Sequence, residues 1–213
     1  MSLNLLFCHG WGFDASFWDP LATLLPEFPQ HRDDAGYFAT PHTPEIEGRY
    51  IAVTHSFGTM RLLAAPPAGL VGLVAVAGFD RFTAAPSFPG AARRVVDRMV
   101  SAVEQAPATV VKDFRARCGD HRPVGDPIAA QLRDDLLRLR DGDQRDAAAA
   151  LDVPVLSLQA AHDPILSLAL RECVFAAAPR VARRTHPAAG HLLPRDEPEW
   201  CAEAIRSFAE ALV

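Results

Sequence analysis

The run Tyr50–Met60 constrains the fold of this chain more than any other segment. Its apolar residues Ile51–Val53 are typical of the end of a buried strand, and the residues that begin at Met60 are typical of a helix. Ser56 lies between them, so the sequence predicts a serine in a strand-to-helix turn. Such a turn strains the backbone and presents the hydroxyl at the edge of a sheet, beside the first amides of the helix. The segment favours an α/β fold with Ser56 as a candidate nucleophile.

The usual motif for such a turn, G-x-S-x-G, is only partly present. Gly58 supplies the second glycine, but Thr54 occupies the position of the first. A serine is also a favourable N-cap for a helix, and a capping role would satisfy the same pattern. The motif alone leaves two interpretations of Ser56, a nucleophile or a capping residue.

A second signal follows the first apolar run, Leu3–Phe7. Residues 9–12 read His-Gly-Trp-Gly, and a strand that ends in His-Gly-aromatic-Gly is typical of an oxyanion-hole loop. In such a loop a backbone N–H points at the carbonyl oxygen that becomes negative during acyl transfer. We predict that the backbone N–H groups of Trp11 and Phe57 form this hole. His9 is predicted to brace its own loop through a backbone hydrogen bond.

The third signal is an acid and a histidine that follow later strand-like segments. Asp163 comes after the apolar run Val153–Leu158, and His191 is predicted to lie in a loop after the last strand. The chain order Ser, Asp, His is that of α/β-hydrolases and differs from the two other common orders of serine hydrolases. We predict that His191 takes the proton of Ser56, and that Asp163 holds the imidazole in the required tautomer.

Together these three loops resemble those of the α/β-hydrolase superfamily, and more narrowly those of its carboxylesterases. The likeness is strongest to the esterases that remove the methyl group from pimeloyl-carrier-protein methyl ester in biotin synthesis. It rests on residues 9–12 with Trp18 downstream, on the serine turn, and on the segment from Asp163 to His191. A weaker similarity covers Phe88–Gly90 and Val110–Phe114, which look like the start of that family's helical cap. The resemblance implies a serine esterase acting on a small ester, with neither metal nor organic cofactor.

Several assignments have alternatives. Asp163 precedes Pro164 and could cap a helix that begins there. Asp80 is a rival acid, because some hydrolases of this superfamily take their acid from the strand before the cap. His191 could be a half-exposed loop histidine. The chemistry could also be that of a thioesterase or of another acyl or C–C bond hydrolase, and a non-catalytic ligand-binding protein is an alternative of a different class.

The rest of the sequence predicts a single α/β-hydrolase domain over residues 1–213, with a mostly parallel sheet flanked by helices. Leu70–Ala77 are continuously apolar, as in a parallel strand buried on both faces. Residues 79–150 contain no strand-like run, and we predict that they form a helical cap inserted after the sixth strand of the family. Its expected helices are Ala91–Val103, Ala108–Arg117 and Pro127–Leu139.

Two features indicate a trimmed member of the fold. Thr40–Arg49 are short and contain two prolines, so the usual helix before the serine strand is expected to be missing. The sequence also starts at the strand before residues 9–12, so the first antiparallel strands of the family and the usual N-terminus are expected to be absent.

Polar residues around the site suggest contacts with substrate or partner. His55 and His162 flank the proposed triad and are predicted to contact substrate or to support the triad. Six arginines lie in the predicted cap: Arg115, Arg117, Arg122, Arg133, Arg138 and Arg140. They form either a solvated helix face or a basic patch that docks an acidic acyl carrier protein, as the resemblance implies, with Arg115 and Arg117 as the candidate contacts.

Composition limits the other partners. The formal net charge of −5 argues against nucleic acid and against an anionic membrane surface as partners. No apolar run reaches the roughly 20 residues of a membrane helix, and no signal peptide precedes the first strand, so a cytoplasmic location is expected. The four cysteines fit neither a zinc site nor a disulfide framework.

Overall fold

A parallel sheet forms the centre of the protein. A computed structural model of the chain describes residues 3–212, and within them six strands pair in parallel throughout. In chain order they are β1 (Asn4–Cys8), β2 (Gln30–Asp33), β3 (Tyr50–His55), β4 (Leu70–Val76), β5 (Val155–Ala160) and β6 (Val181–His186). Across the sheet the order is β2-β1-β3-β4-β5-β6. The predicted parallel sheet is confirmed.

Helices connect most of the strands. They are α1 (Asp19–Ala22), α2 (Phe57–Ala64), α3 (Arg93–Val103), α4 (Pro107–Cys118), α5 (Ala129–Asp141), α6 (Arg145–Ala149), α7 (Leu168–Cys173), α8 (Leu193–Asp196) and α9 (Pro198–Glu210). The three helices predicted between residues 91 and 139 correspond to α3, α4 and α5, whereas α6 was not predicted. Residues 34–49, all described, contain no helix, which confirms that the connection before β3 lacks one.

Both faces of the sheet are buried, which explains the continuous apolar strands. In β3, Ile51 and Val53 pack into one apolar layer, and Tyr50 and Ala52 pack into the other. All four side chains are fully buried. A strand covered by helices on both sides needs apolar residues at every position rather than at alternate ones.

The sheet brings the predicted site residues to one edge. Because the strands are parallel, their carboxyl ends meet at the same edge, where ligands bind in open α/β sheets. The loop after β1 carries residues 9–12, the turn after β3 carries Ser56, the loop after β5 carries Asp163, and the loop after β6 carries His191. Residues more than 100 positions apart in the sequence therefore become neighbours. No helix in the described part of the chain has the length and apolar character needed to cross a bilayer.

Candidate active site

Ser56 occupies a strained turn between β3 and α2. Its φ of 51° and ψ of −124° lie in a region that non-glycine residues rarely adopt. A Cβ at Gly58 would lie 2.4 Å from the carbonyl oxygen of Cys8, so the turn packs against β1 too closely for any residue but glycine. Ser56 stands at the N-cap position of α2, yet its side chain makes no capping hydrogen bond. The hydroxyl is directed elsewhere.

Thr54 replaces the first glycine of the motif without disturbing the turn. Its side chain is buried, and its Oγ1 lies 2.7 Å from Oγ1 of Thr59 in the first turn of α2. The two hydroxyls satisfy each other, so no unpaired polar atom is left in the core. This pair ties the end of β3 to the helix that follows the serine.

His191 connects Ser56 to Asp163. The imidazole Nε2 lies 3.0 Å from Oγ of Ser56, and Nδ1 lies 2.8 Å from Oδ2 of Asp163. Both the histidine and the aspartate side chains are fully buried. Because a carboxylate can only accept, Nδ1 carries the proton, which leaves the Nε2 lone pair to accept from the serine hydroxyl. His191 is therefore not an exposed loop residue.

Asp163 is held as a carboxylate. Its second oxygen, Oδ1, accepts hydrogen bonds from the backbone N–H groups of Ile165 at 2.7 Å and Leu166 at 2.9 Å. Burial alone would raise its pKa, but the charge and hydrogen bond of His191 and these two amides lower the pKa below its ordinary value. The residue therefore caps the turn after Pro164 and also contacts the imidazole, so the two interpretations of Asp163 are compatible.

Asp80, the rival acid, does not contact the imidazole. Its Oδ2 accepts a hydrogen bond from the backbone N–H of Phe175 at 3.0 Å. Burial raises the pKa of this carboxyl, in contrast to that of Asp163. The geometry favours Asp163 as the partner of His191.

The loop after β1 is fixed by its histidine. Nε2 of His9 accepts a hydrogen bond from the backbone N–H of Ala35 at 3.0 Å, so Nδ1 carries the proton and donates to the carbonyl oxygen of Gly10 at 2.9 Å. The predicted bracing role of His9 is confirmed. Within residues 3–212, neither the backbone N–H of Trp11 nor that of Phe57 has a hydrogen-bond acceptor. Both Trp11 and Phe57 line the same cavity as Ser56, and their N–H groups remain the predicted oxyanion donors.

His55 lies beneath the site rather than in it. Its ring is fully buried and stacks on Phe17 with the ring centroids 4.4 Å apart. Nε2 donates to the backbone carbonyl oxygen of His191 at 2.9 Å. Burial lowers the pKa of His55 well below its ordinary value, so the ring is neutral beside His191. Of the two predicted roles of His55, this hydrogen bond favours support of the triad over contact with substrate.

His162 is exposed and is not brought to the site. Its backbone N–H donates to the carbonyl oxygen of Ala189 at 3.1 Å, which ties the loop after β5 to the loop after β6. Its side chain does not line the cavity that contains Ser56. The neighbouring Asp163 reaches His191 partly because this backbone bond holds the two loops together.

A cavity of about 640 Å³ opens at Ser56. Its walls are mostly apolar and come largely from the segment between β4 and β5, including Phe82, Val96, Met99, Val110, Phe114 and Leu139. Four charged residues also line it: Arg98, Arg117, Asp113 and Asp163. A cavity of this size and character suits a small molecule with a substantial apolar part.

The six arginines of residues 115–140 do not form a free basic patch. Four of them pair with carboxylates: Arg122 with Asp120, Arg133 with Glu104, Arg138 with Asp135, and Arg140 with Asp97 and Asp141. Arg115 is buried, so its predicted role as a surface contact is wrong. Arg117 is exposed, lines the cavity, and donates to the carbonyl oxygen of Pro164 at 3.3 Å.

Reasoning from sequence missed two features of the site. One is the bond from His55 to the His191 carbonyl, which no sequence pattern indicates. The other is the burial of Arg115, for which a signal existed: Val111, Arg115 and Cys118 share one face of α4 at helical spacing, and all three are buried.

Solved structures similar to this chain identify its fold. The esterase EaEST from Exiguobacterium antarcticum matches with a TM-score of 0.83 and 16% identity, over 99% of this chain and 93% of that one. An esterase from Thermogutta terrifontis matches with a TM-score of 0.80 and 19% identity, over 100% of this chain and 91% of that one. A bromoperoxidase from Bacillus anthracis matches with a TM-score of 0.82 and 13% identity, over 99% of this chain and 92% of that one. The chain has the α/β-hydrolase fold, which by itself does not determine the reaction.

The sequence of the chain is also similar to that of a curated protein. That relative is the biotin biosynthesis bifunctional protein BioHC of Cellvibrio japonicus strain Ueda107, which is 26% identical over 98% of this chain and 48% of that protein. The chain spans about half the length of this relative. No protein-family model matches the chain.

Proposed function

We propose that the protein is a serine hydrolase that cleaves carboxylic esters through Ser56, His191 and Asp163. The observation on which this depends is the unbroken hydrogen-bond series from carboxylate to imidazole to hydroxyl, at the floor of a mostly apolar cavity. A serine hydroxyl is a weak nucleophile at its free pKa, and a hydrogen-bonded imidazole in this tautomer can activate it. The similarity to esterases agrees with this chemistry.

The proposed reaction has two halves. In the first, Oγ of Ser56 attacks the ester carbonyl carbon while Nε2 of His191 takes the hydroxyl proton. The oxyanion that forms accepts hydrogen bonds from the N–H groups of Trp11 and Phe57, each worth about 3 kcal/mol in the transition state. The protonated imidazole then gives its proton to the leaving alkoxide. In the second half, water attacks the acyl-enzyme with His191 as base, which releases the acid and regenerates Ser56.

We further propose that the chain is one domain and that residues 79–150 act as its cap. Side chains from this segment form most of the cavity wall above Ser56, so the segment would choose the acyl group. Two arginines, Arg98 and Arg117, and two aspartates, Asp113 and Asp163, add charges of both signs to a cavity that is otherwise mainly apolar.

An assay with short-chain p-nitrophenyl esters tests the proposed activity. We expect hydrolysis with saturation kinetics and rapid covalent labelling of Ser56 by a fluorophosphonate, because both need an activated serine beside an oxyanion hole. A matched thioester shows whether the alternative, a thioesterase, describes the enzyme better. Absence of both hydrolysis and labelling would favour a non-catalytic binding protein.

A carrier-bound methyl ester, such as pimeloyl-carrier-protein methyl ester, is the proposed natural substrate. This is supported by the likeness to BioHC and by the exposed Arg117 at the cavity. We expect a carrier-bound ester to be cleaved faster than the free ester, with an advantage that shrinks as salt rises, because exposed charges are screened over about 10 Å at 0.1 M.

Charge reversal separates docking from chemistry. Arg117→Glu should lower kcat/KM for the carrier-bound ester by a larger factor than for the free ester, whose binding depends on the cavity wall alone. Arg180→Glu is the matched control, because Arg180 precedes β6 and lies at the opposite edge of the sheet from Ser56. Equal rates on free and carrier-bound esters at low salt would contradict docking of a carrier protein and would indicate a hydrolase of small esters.

A further inference from the structure

Arg115 is a buried cation without a carboxylate partner. Its exposed fraction is 6%, and no carboxylate in the described residues lies within 4.0 Å of its guanidinium. Its Nε donates to the carbonyl oxygen of Gly12 at 2.7 Å, and its guanidinium lies 5.0 Å from the ring centroids of both Phe13 and Phe38. Burying an unpaired charge is costly, and an apolar side chain would fill the same space at less cost. An apolar residue could reproduce neither the hydrogen bond to Gly12 nor the two cation–π contacts, and of these only the hydrogen bond acts directly on the backbone of the loop.

Gly12 is a sensitive point of the loop after β1. It adopts a φ of +74°, and it directly follows Trp11, whose backbone N–H is a proposed oxyanion donor. A carbonyl held by a guanidinium fixes the orientation of its peptide group, since a charge-assisted hydrogen bond is short and directional. Rotation about the backbone of Gly12, which glycine otherwise permits freely, is thereby restricted.

The neighbouring residue of the loop is held by the same segment of chain. Nε1 of Trp11 donates to the carbonyl oxygen of Leu132 in α5 at 2.9 Å, and its ring packs edge-on against Phe114 of α4 with centroids 5.1 Å apart. Two consecutive loop residues are thus attached to helices between β4 and β5. On the other side, His9 attaches the loop to Ala35. The direction of the Trp11 N–H depends on all of these attachments.

We infer that Arg115 is a positioning residue for the oxyanion hole: through the Gly12 carbonyl it holds the loop so that the backbone N–H of Trp11 points at the developing oxyanion. The inference rests on the proposed function. Burial lowers the pKa of Arg115 only from a very high ordinary value, and the guanidinium stays charged at neutral pH. Arg115 touches none of Ser56, His191 or Asp163, so its contribution is geometric.

Steady-state kinetics of two variants test the inference. Arg115→Met fills the same space without a donor, and we expect kcat for a p-nitrophenyl ester to fall about tenfold or more with KM nearly unchanged, because a misdirected oxyanion donor weakens only transition-state binding. The affinity for a phenylboronic acid, a transition-state analogue, should fall by the same factor as kcat/KM. The pH dependence of kcat/KM should be the same in Arg115→Met as in the wild type. Arg115→Lys should recover part of the loss, since an ammonium can still donate to Gly12.

The matched control is Lys112→Met, at an exposed position of the same helix that does not line the cavity, and it should retain wild-type kcat for the small ester. A fall in the melting temperature without a fall in kcat would make Arg115 a packing residue and overturn the inference. A rise in KM with an unchanged kcat would overturn the inference as well. If Arg115→Met does not fold, Arg115→Lys is judged by the same criteria against the wild type.

A second measurement does not depend on catalysis. NMR order parameters for the backbone amides of Trp11 and Gly12 should be near 0.85 in the wild type and clearly lower in Arg115→Met, while those of Phe17 and Trp18 stay unchanged. Unchanged values at Trp11 and Gly12 would overturn the inference whatever the kinetics show. If the wild type neither hydrolyses esters nor binds the boronic acid, the proposed function fails, and the order parameters still decide whether Arg115 fixes the loop.

Discussion

Ser56→Ala is expected to lower kcat/KM for a p-nitrophenyl ester by roughly five orders of magnitude, close to the background rate of hydrolysis. Only the nucleophilic oxygen is lost, and alanine fits the space that serine leaves. The hydroxyl makes no capping bond to α2, so the melting temperature should change little. Initial rates and thermal unfolding of the purified variant provide both measurements.

A serine outside the cavity provides the control for this variant. Ser101 lies on α3, where its hydroxyl bonds to the carbonyl oxygen of Asp97 within the helix. Ser101→Ala removes the same atom and should keep wild-type activity. Retention of more than a few per cent of activity in Ser56→Ala would remove Ser56 from the mechanism, and the strained turn would then need another explanation.

Asp163→Asn is expected to lower kcat by about three to four orders of magnitude. An asparagine can present its amide N–H to Nδ1 of His191, which favours the tautomer in which Nε2 carries the proton and cannot accept one from Ser56. The pKa of Asp163 is held below its ordinary value, so its carboxylate is ionised from pH 6 to 9. Protonation of Asp163 should therefore contribute nothing to the pH dependence of wild-type kcat in that range, as measured by kcat at each pH.

Asp80→Asn separates the two candidate acids. The asparagine oxygen can still accept the hydrogen bond from the backbone N–H of Phe175, so folding is preserved and activity should stay within a few-fold of wild type. A large loss in Asp80→Asn together with a small loss in Asp163→Asn would transfer the role of the acid to Asp80.

Much of the site could be predicted because its signals are local. A buried parallel strand needs apolar residues at successive positions, and the turn after it needs a residue such as Gly58 that can approach its neighbours closely. Ser56, Asp163 and His191 each follow such a strand-like segment, so their place at one edge of the sheet could be inferred from chain order alone. Errors at strand ends, as for β5, which begins two residues after the predicted Val153, did not affect that inference.

Contacts between distant segments could not be predicted in the same way. His55 looked like a substrate contact because it neighbours the serine, but strand alternation turns its ring toward Phe17, where it supports the His191 loop. Arg115 looked like part of a charged helix face, since a long cationic side chain is normally solvated. Its position on α4 relative to Gly12 depends on how the helix packs on the loop.

The sequence by itself determined the α/β architecture, the missing helix before β3 and the three residues that can form a triad, because strand burial, turn chemistry and chain order are properties of short segments. The tertiary structure alone decided that Asp163 rather than Asp80 faces the imidazole. It also decided that Arg115 holds the loop after β1 instead of facing a partner. The physical reason is that both outcomes depend on distances between side chains remote in the sequence, which only the packing of helices on the sheet sets.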